Sequence, residues 1–386
     1  MSALLKPFIL ALDTSHLSDW IRDSQSRKST DRQRAKVFSE WLKSRGALPL
    51  FTLHHLEELC SHDDTDLVRS RIRFLHSLPF IAWIAHQGSP SAPGGVASMM
   101  SSEILTAYAN PEYDVARVGH AAATSLIQIG TGEDFLGPEP DIWLALREIF
   151  LERSRNARAL VAVTRTNVID ISSKPMAELL KGRFRSAEGV RRQLEVIGGS
   201  LASDILRHGD KRIEQPRTVA ADFMRQVAGA IDDLPKSAAA MIWESLATQG
   251  VEPSDAKPDS TVGGVLEYGL FLQQMRISTQ DSGIPFLDLK RTVSMDRVPS
   301  WIISSELRRH GPPLMERKGS ELNDTHLACL AAYADLTLVD KRTLEGFRRA
   351  RRKVSSFNLI CRDVDRASSY QNVPALIGAY VEPQCD

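Results

Sequence analysis

Apolar residues follow two textures along this chain: short continuous runs near its two ends, and helical spacing through the middle. Phe8-Ile9-Leu10-Ala11-Leu12 is an unbroken apolar run ending in Asp13-Thr14-Ser15, a buried strand passing into a helix cap. Helical spacing follows from about Ser15 to Asp23 and from Asp31 to Ser44, where Ala35, Phe38, Trp41 and Leu42 share a face before Gly46 stops the run. Leu48-Pro49-Leu50-Phe51 predicts a second strand, with Pro49 hinting at an edge or a strand start. Thr52 caps a helix over Leu53–Ser61, Asp64 or Thr65 opens another through Ser77, and Phe80-Ile81-Ala82-Trp83-Ile84 predicts a third strand.

The texture then changes. His86 to Ser98 is rich in Gly, Pro and Ser and reads as a linker. From there to about Met295 the spacing is almost wholly helical, with helices expected over Val115–Ile129, Asp141–Asn156, Ser186–His208, Thr218–Ile231, Ser237–Thr248 and Gly264–Ile277. After Pro299 the α/β rhythm resumes with a helix Ser300–His310. Asn323 and Asp324 then read as caps of a helix whose apolar face holds Leu327, Leu330, Ala331 and Ala332. Leu336-Thr337-Leu338-Val339 predicts a buried strand ending directly in Asp340; a basic helix Thr343–Lys353 and a strand Phe357–Cys361 follow, and Val373–Tyr380 is open to strand or short helix.

Composition narrows the functional classes only a little. At 386 residues the chain has room for two domains, or for one domain with a large insertion. Lys+Arg and Asp+Glu balance at 48 each, so any nucleic-acid signal must be local. No apolar run reaches the roughly 20 residues of a membrane span, and the N-terminal apolar stretch, interrupted by Asp13, reads as a strand rather than a secretion signal. Four scattered cysteines without a C-x-x-C pair argue for a reducing cytoplasm and against a structural zinc site.

The chemistry sits in the acids at element ends. Asp13 follows the first strand, Glu57 and Glu58 lie in the helix after the second, Asp324 heads a late helix, and Asp340 follows a late strand. In a parallel doubly wound sheet these positions converge on one edge. Several ionised carboxylates packed there repel one another and call for a cation, and hard oxygen donors select Mg²⁺ or Mn²⁺. Such a site serves phosphodiester hydrolysis.

LDTS after the first strand, LEEL in the third helix and NDTHLA…YADLTLVDK late in the chain resemble the PIN-domain nucleases, relatives of toxin ribonucleases. The resemblance covers about Met1–Ile84 and Pro299–Cys361. It implies an α/β, PIN-like three-layer fold with a central parallel sheet, interrupted by a large all-helical insertion: residues 1–88, the insertion 89–297, and 298–386. It makes Asp13, Glu58, Asp324 and Asp340 the catalytic metal ligands, with Thr14 or Ser15 orienting a ligand or water. Two departures stand out: Leu338 occupies the position where the family often has Thr or Ser, and the second and third acids are unusually far apart. The implied activity is a metal-dependent endonuclease on RNA or single-stranded nucleic acid, RNA ahead of DNA, of a regulated toxin or defence type.

Each acid alone has a simpler reading: Asp13 and Asp340 as turn or cap residues, Asp324 as an N-cap, and one of Glu57 and Glu58 as the solvated side of its helix. Asp335 reads as structural, His326 as a partly buried, satisfied histidine, and His54, His55 and His62-Asp63-Asp64 as surface. Arg342, Arg348, Arg349 and Arg352, within a basic run that includes Arg351 and Lys353, are the candidate nucleic-acid contacts; Lys181, Arg183, Arg185, Arg191 and Arg192 form a second cluster that reads as charged surface. The insertion leaves room for an inhibitor or regulator protein and for homo-oligomerisation. Two further classes stay open: a catalytically silent PIN-fold binding or regulatory module working through the insertion, and, ranked last, a phosphatase-like enzyme, since no DxDx(T/V) motif is present.

Overall fold

The computed structural model describes residues 7–164, 172–179, 187–229, 238–257, 259–312 and 320–381. Contacts divide it into two compact units: Met1–Arg153 with Leu287–Pro312 and Asn323–Asp386, and Ser154–Phe286 with Pro313–Leu322.

The first unit is α/β. Its strands are β1 (Phe8–Ala11), β2 (Ala47–Phe51), β3 (Ile81–His86), β4 (Ser89–Pro93), β5 (Ile127–Gly130), β6 (Leu336–Leu338) and β7 (Asp363–Asp365). They form one sheet in the order β4-β3-β2-β1-β6-β7, with β5 also on β3. The pairs β3–β2, β2–β1, β1–β6 and β6–β7 are parallel, whereas β4 and β5 run antiparallel to β3.

Alternation along the central strands builds a core on each face. Leu10, Leu12, Phe51, Ile81, Trp83, Leu336 and Leu338 face one core, filled by Leu17, Trp20, Phe38, Leu56, Ile72 and Tyr370 among others. Ile9, Ala11, Leu50, Ala82, Ile84 and Val364 face the other, filled by Ile303, Leu330, Tyr333, Phe347 and Phe357. Helices therefore cover both faces of the sheet, a three-layer α/β arrangement. From β1 the chain winds one way to β2 and β3 and the other way to β6 and β7. The topological switch point lies between β1 and β6, where open α/β sheets place their ligands.

Several expectations need correction. The stretch read as a linker, His86–Ser98, contains β4, turned back onto β3 with an irregularity at Ala85/His86. The helix expected through Ile129 ends at Leu126, and the next four residues are β5. Phe357–Cys361 is not a strand: the Ser355–Ile360 helix buries Phe357 and Ile360 and exposes Asn358 and Leu359, a helical spacing. The last strand is β7 instead. Pro49 stands in an interior strand, at the point where the rungs to β3 (Leu50 with Ala82, Phe51 with Trp83) begin. Val373–Val381 is a helix.

Because β5 pairs with β3, and Met99, Val115 and Leu126 fill the second core, residues beyond 88 continue the α/β unit to Arg153, and the unit resumes at Leu287. The second unit is helical, with helices Met176–Leu179, Ala187–His208, Pro216–Gly229, Ala238–Thr248 and Val262–Ser278. Ala162, Leu201, Ile205 and Ala220 form a core within it. Its β pairing among the described residues is the single bridge Pro175 to Thr261. Lys181, Arg183 and Arg185 of the expected basic cluster lie outside the described residues, as do the side chains of Arg191 and Arg192.

Candidate active site

The switch point is built by β1 and β6, where Ala11 is in register with Thr337. That register sets Asp13, two residues past Ala11, beside the end of β6 that leads into Asp340. Each aspartate also caps the helix it precedes. Asp13 Oδ1 accepts from Ser15 N at 2.7 Å at the head of Thr14–Ser24, and Asp340 Oδ1 accepts from Thr343 N at 2.6 Å at the head of Lys341–Lys353. The cap reading and the site reading therefore coexist: one oxygen serves the helix and the other has no such commitment.

Glu58 arrives on the Leu53–Cys60 helix, which His55 ties to the end of β1. The buried His55 ring donates through Nε2 to the Leu12 carbonyl at 3.0 Å and accepts through Nδ1 from Thr52 N at 3.1 Å, completing a capping box. Burial pushes its pKa down to about 4, so it is neutral at physiological pH. Glu58 itself titrates above the usual carboxylate range, mainly because it is buried; the Thr14 hydroxyl counters this, and the Asp13 charge adds to it. Its Oε2 is buried without a hydrogen bond of regular geometry, as is Thr14 Oγ1.

Asp324 is not the N-cap expected for it. The helix runs Ser320–Ala328, which puts Asp324 more than one turn inside, facing the other acids. Burial pushes its pKa up to about 8, and the charges of Glu58, Asp340 and Asp13, in that order, push the same way against Arg342. The four carboxyls, drawn from widely separated parts of the chain, thus share one electrostatic environment. Glu58, not Glu57, belongs to it.

Glu57 faces elsewhere. Burial would raise its pKa, but the bond from His54 and the ion pair with Arg153 at 2.6 Å outweigh that and lower it. His54 accepts from Val96 N through Nε2 at 3.1 Å, so its Nδ1 proton points to Glu57 at 3.1 Å. Its ring packs on His326 with centroids 4.5 Å apart. His54 and His55 are therefore interior residues, not the surface ones expected, whereas His62, Asp63 and Asp64 are exposed. Burial pushes His326 down to about 3; its Nδ1 is buried without a partner rather than satisfied. Asp335 sits at the opposite end of the sheet, accepting from Ile9 N at 2.8 Å and paired with Arg362.

The basic run divides. Arg342, half-buried in the first turn after Asp340, is the member whose charge reaches Asp324. Arg349 pairs with Glu345 at 3.0 Å, while Arg348 and Arg352 are exposed about two and three turns further along the helix. Sequence spacing missed Arg366, exposed just past the end of β7, because nothing in its neighbourhood marks β7 as a strand.

All four donors are carboxylate oxygens, the chemistry a hard divalent ion takes, and the buried unpartnered Glu58 oxygen is consistent with a cation's place. Among the described residues, no three Asp, Glu, His or Cys side chains already stand at metal-holding spacing. No family model, no curated protein and no solved structure matches the chain.

Proposed function

We propose that the chain is a metal-dependent nuclease of PIN-like architecture that hydrolyses phosphodiester bonds in RNA or other single-stranded nucleic acid. The observation that carries this reading is the β1–β6 register, which brings Asp13 and Asp340 to one edge at the switch point, with Glu58 and Asp324 held above the usual carboxylate range by burial and by their acidic neighbours. Such a cluster is short of positive charge and is relieved by a cation. Asp13, Glu58, Asp324 and Asp340 would hold Mg²⁺ or Mn²⁺, which when bound supplies Lewis acidity toward a phosphate and lowers the pKa of water. Asp13 and Asp340, fixed by their cap bonds, present pre-set oxygens. Burial and its acidic neighbours favour the protonated form of Asp324 at neutral pH, and as a metal ligand it would act deprotonated. Arg342 offsets part of the negative field that would repel a phosphate.

Incubation of the purified protein with labelled RNA and DNA in Mn²⁺, with and without EDTA, tests the reading. Cleavage should require the metal and fall at least about 100-fold in Asp13→Asn and Asp340→Asn proteins. Undiminished cleavage by both variants overturns the site.

A second reading draws on the lack, among the described residues, of three side chains at metal-holding spacing: a binding or regulatory module in which Asp13 and Asp340 act only as caps. Calorimetric titration with Mn²⁺ separates the two. Negligible heat in both wild type and Asp324→Ala favours the module.

A further inference from the structure

Two exposed cations follow strands at the switch-point end of the sheet. Lys341 follows Asp340 directly, and Arg366 follows β7. Their strands are neighbours: Leu338 of β6 is in register with Asp365 of β7, and Val339 N donates to the Asp365 carbonyl at 3.0 Å. Adjacent strands lie about 4.8 Å apart, so the two residues follow neighbouring strands at the edge that carries Asp13 and Asp340.

The Arg366 backbone is pinned on both sides. Its own N–H donates to Asp365 Oδ1 at 2.8 Å. The next carbonyl, of Ala367, bonds at 3.0 Å to Nε2 of His16, a buried residue in the first turn of the helix that Asp13 caps. A few residues on, the Tyr370 hydroxyl donates to the buried Asp23 of that same helix at 2.8 Å. Neither cation makes an ion pair among the described residues, so both charges are available to solvent. Arg348 and Arg352 differ: they lie up the helix from Asp340, Arg352 about 18 Å along its axis at 1.5 Å per residue.

We propose that Lys341 and Arg366 form a phosphate-binding rim beside the acid cluster, seating the phosphodiester backbone of a single-stranded nucleic acid. The inference deepens the nuclease reading and rests on it for the chemistry at the acids. The contact of two cations with backbone phosphates is electrostatic, indifferent to base sequence and strongly salt-dependent.

Fluorescence anisotropy with labelled 12-nucleotide oligouridylate and oligothymidylate, in Ca²⁺ and across a salt series, tests it. The Lys341→Gln/Arg366→Gln protein should bind both strands several-fold more weakly, with a log K–log[salt] slope flatter by about 1.4, the value for two lost phosphate contacts. A Lys43→Gln/Arg45→Gln protein, whose exposed cations precede β2 at the opposite end of the sheet, should keep the wild-type slope. Equal slopes in the two variants, or no binding by wild type, overturn the rim. Cleavage assayed separately in Mn²⁺ keeps the two readings apart. Rim-dependent binding without cleavage sinks the nuclease reading alone; metal-dependent cleavage with wild-type binding in Lys341→Gln/Arg366→Gln sinks the rim alone.

Discussion

The carboxyls of Glu58 and Asp324, carried on helices from opposite ends of the chain, share one environment: after burial itself, the Glu58 charge is the largest influence raising Asp324 to about 8. The sign of the pH dependence follows. Asp324 has an ordinary value of 3.8 when unfolded, so its contribution to stability is complete below that pH and is lost as pH rises through about 8. Metal-free wild type should therefore lose stability between pH 6 and pH 8.5 on this account, and Asp324→Asn should lose less, as urea unfolding in EDTA would show. As a ligand Asp324 would have to lose that proton, so apparent Mn²⁺ affinity should rise by up to about tenfold per pH unit from pH 6 and level off near pH 8. Affinity independent of pH over that range would remove Asp324 from the ligand set.

Asp340 serves a helix and, on the reading above, an ion, and the two roles separate by substitution. Asparagine caps about as well as aspartate, whereas alanine costs about 1 kcal/mol. Asp340→Asn should thus unfold within about 0.5 kcal/mol of wild type while losing metal-dependent cleavage. Asp340→Ala should lose both. An Asn variant that keeps full activity would reduce Asp340 to a cap.

Much of this arrangement was legible in the chain. The apolar runs of β1, β2, β3 and β6 mark strands because both faces of each are buried, and the acids at their ends follow from reading where each run stops. What hid the rest is physical. In β7 only Val364 is buried and charged residues flank it, so no apolar run announces it. The exposed residues and two prolines of β4 look like a linker, although β3 supplies its partner. Asp324 looks like a cap because Asn323 and Asp324 favour caps, yet the helix starts at Ser320. Nor could spacing reveal that His55 reaches back to Leu12, a bond between elements that only the fold brings together.

That bond gives a third prediction. His55→Ala leaves the buried Leu12 carbonyl and the Thr52 N–H without partners and should cost about 2–3 kcal/mol at pH 7. Because burial lowers the His55 pKa from 6.5 to about 4, its neutral ring contributes fully above pH 6.5, and the contribution is lost as pH falls toward 4. The difference between wild type and His55→Ala should therefore shrink from pH 7 to pH 5 in chemical denaturation. A difference that stays constant with pH would mean that the ring acts through packing alone.

A buried carboxylate on the other face of the sheet gives the opposite sign. Glu103, fully buried on the Val96–Ala109 helix, accepts from Ser300 N at 2.9 Å, from Ser300 Oγ at 2.6 Å and from the Tyr333 hydroxyl. It thereby serves backbone at the start of the Pro299–His310 helix, whose first N–H groups have no partner within that helix. Burial pushes its pKa up to about 7 and these donors pull against that, so the site's stability is complete below 4.5 and is lost as pH rises through about 7. Tyr333→Phe removes one donor to the charged form. Bonds to a charged group contribute about 1.5–3 kcal/mol and neutral ones about 0.5–1.5 kcal/mol, so the substitution should cost about 2 kcal/mol at pH 8.5 and about 1 kcal/mol at pH 5.5. Urea unfolding of wild type and Tyr333→Phe at the two pH values measures the difference. An equal cost at both would show that Glu103 does not change its protonation state between them.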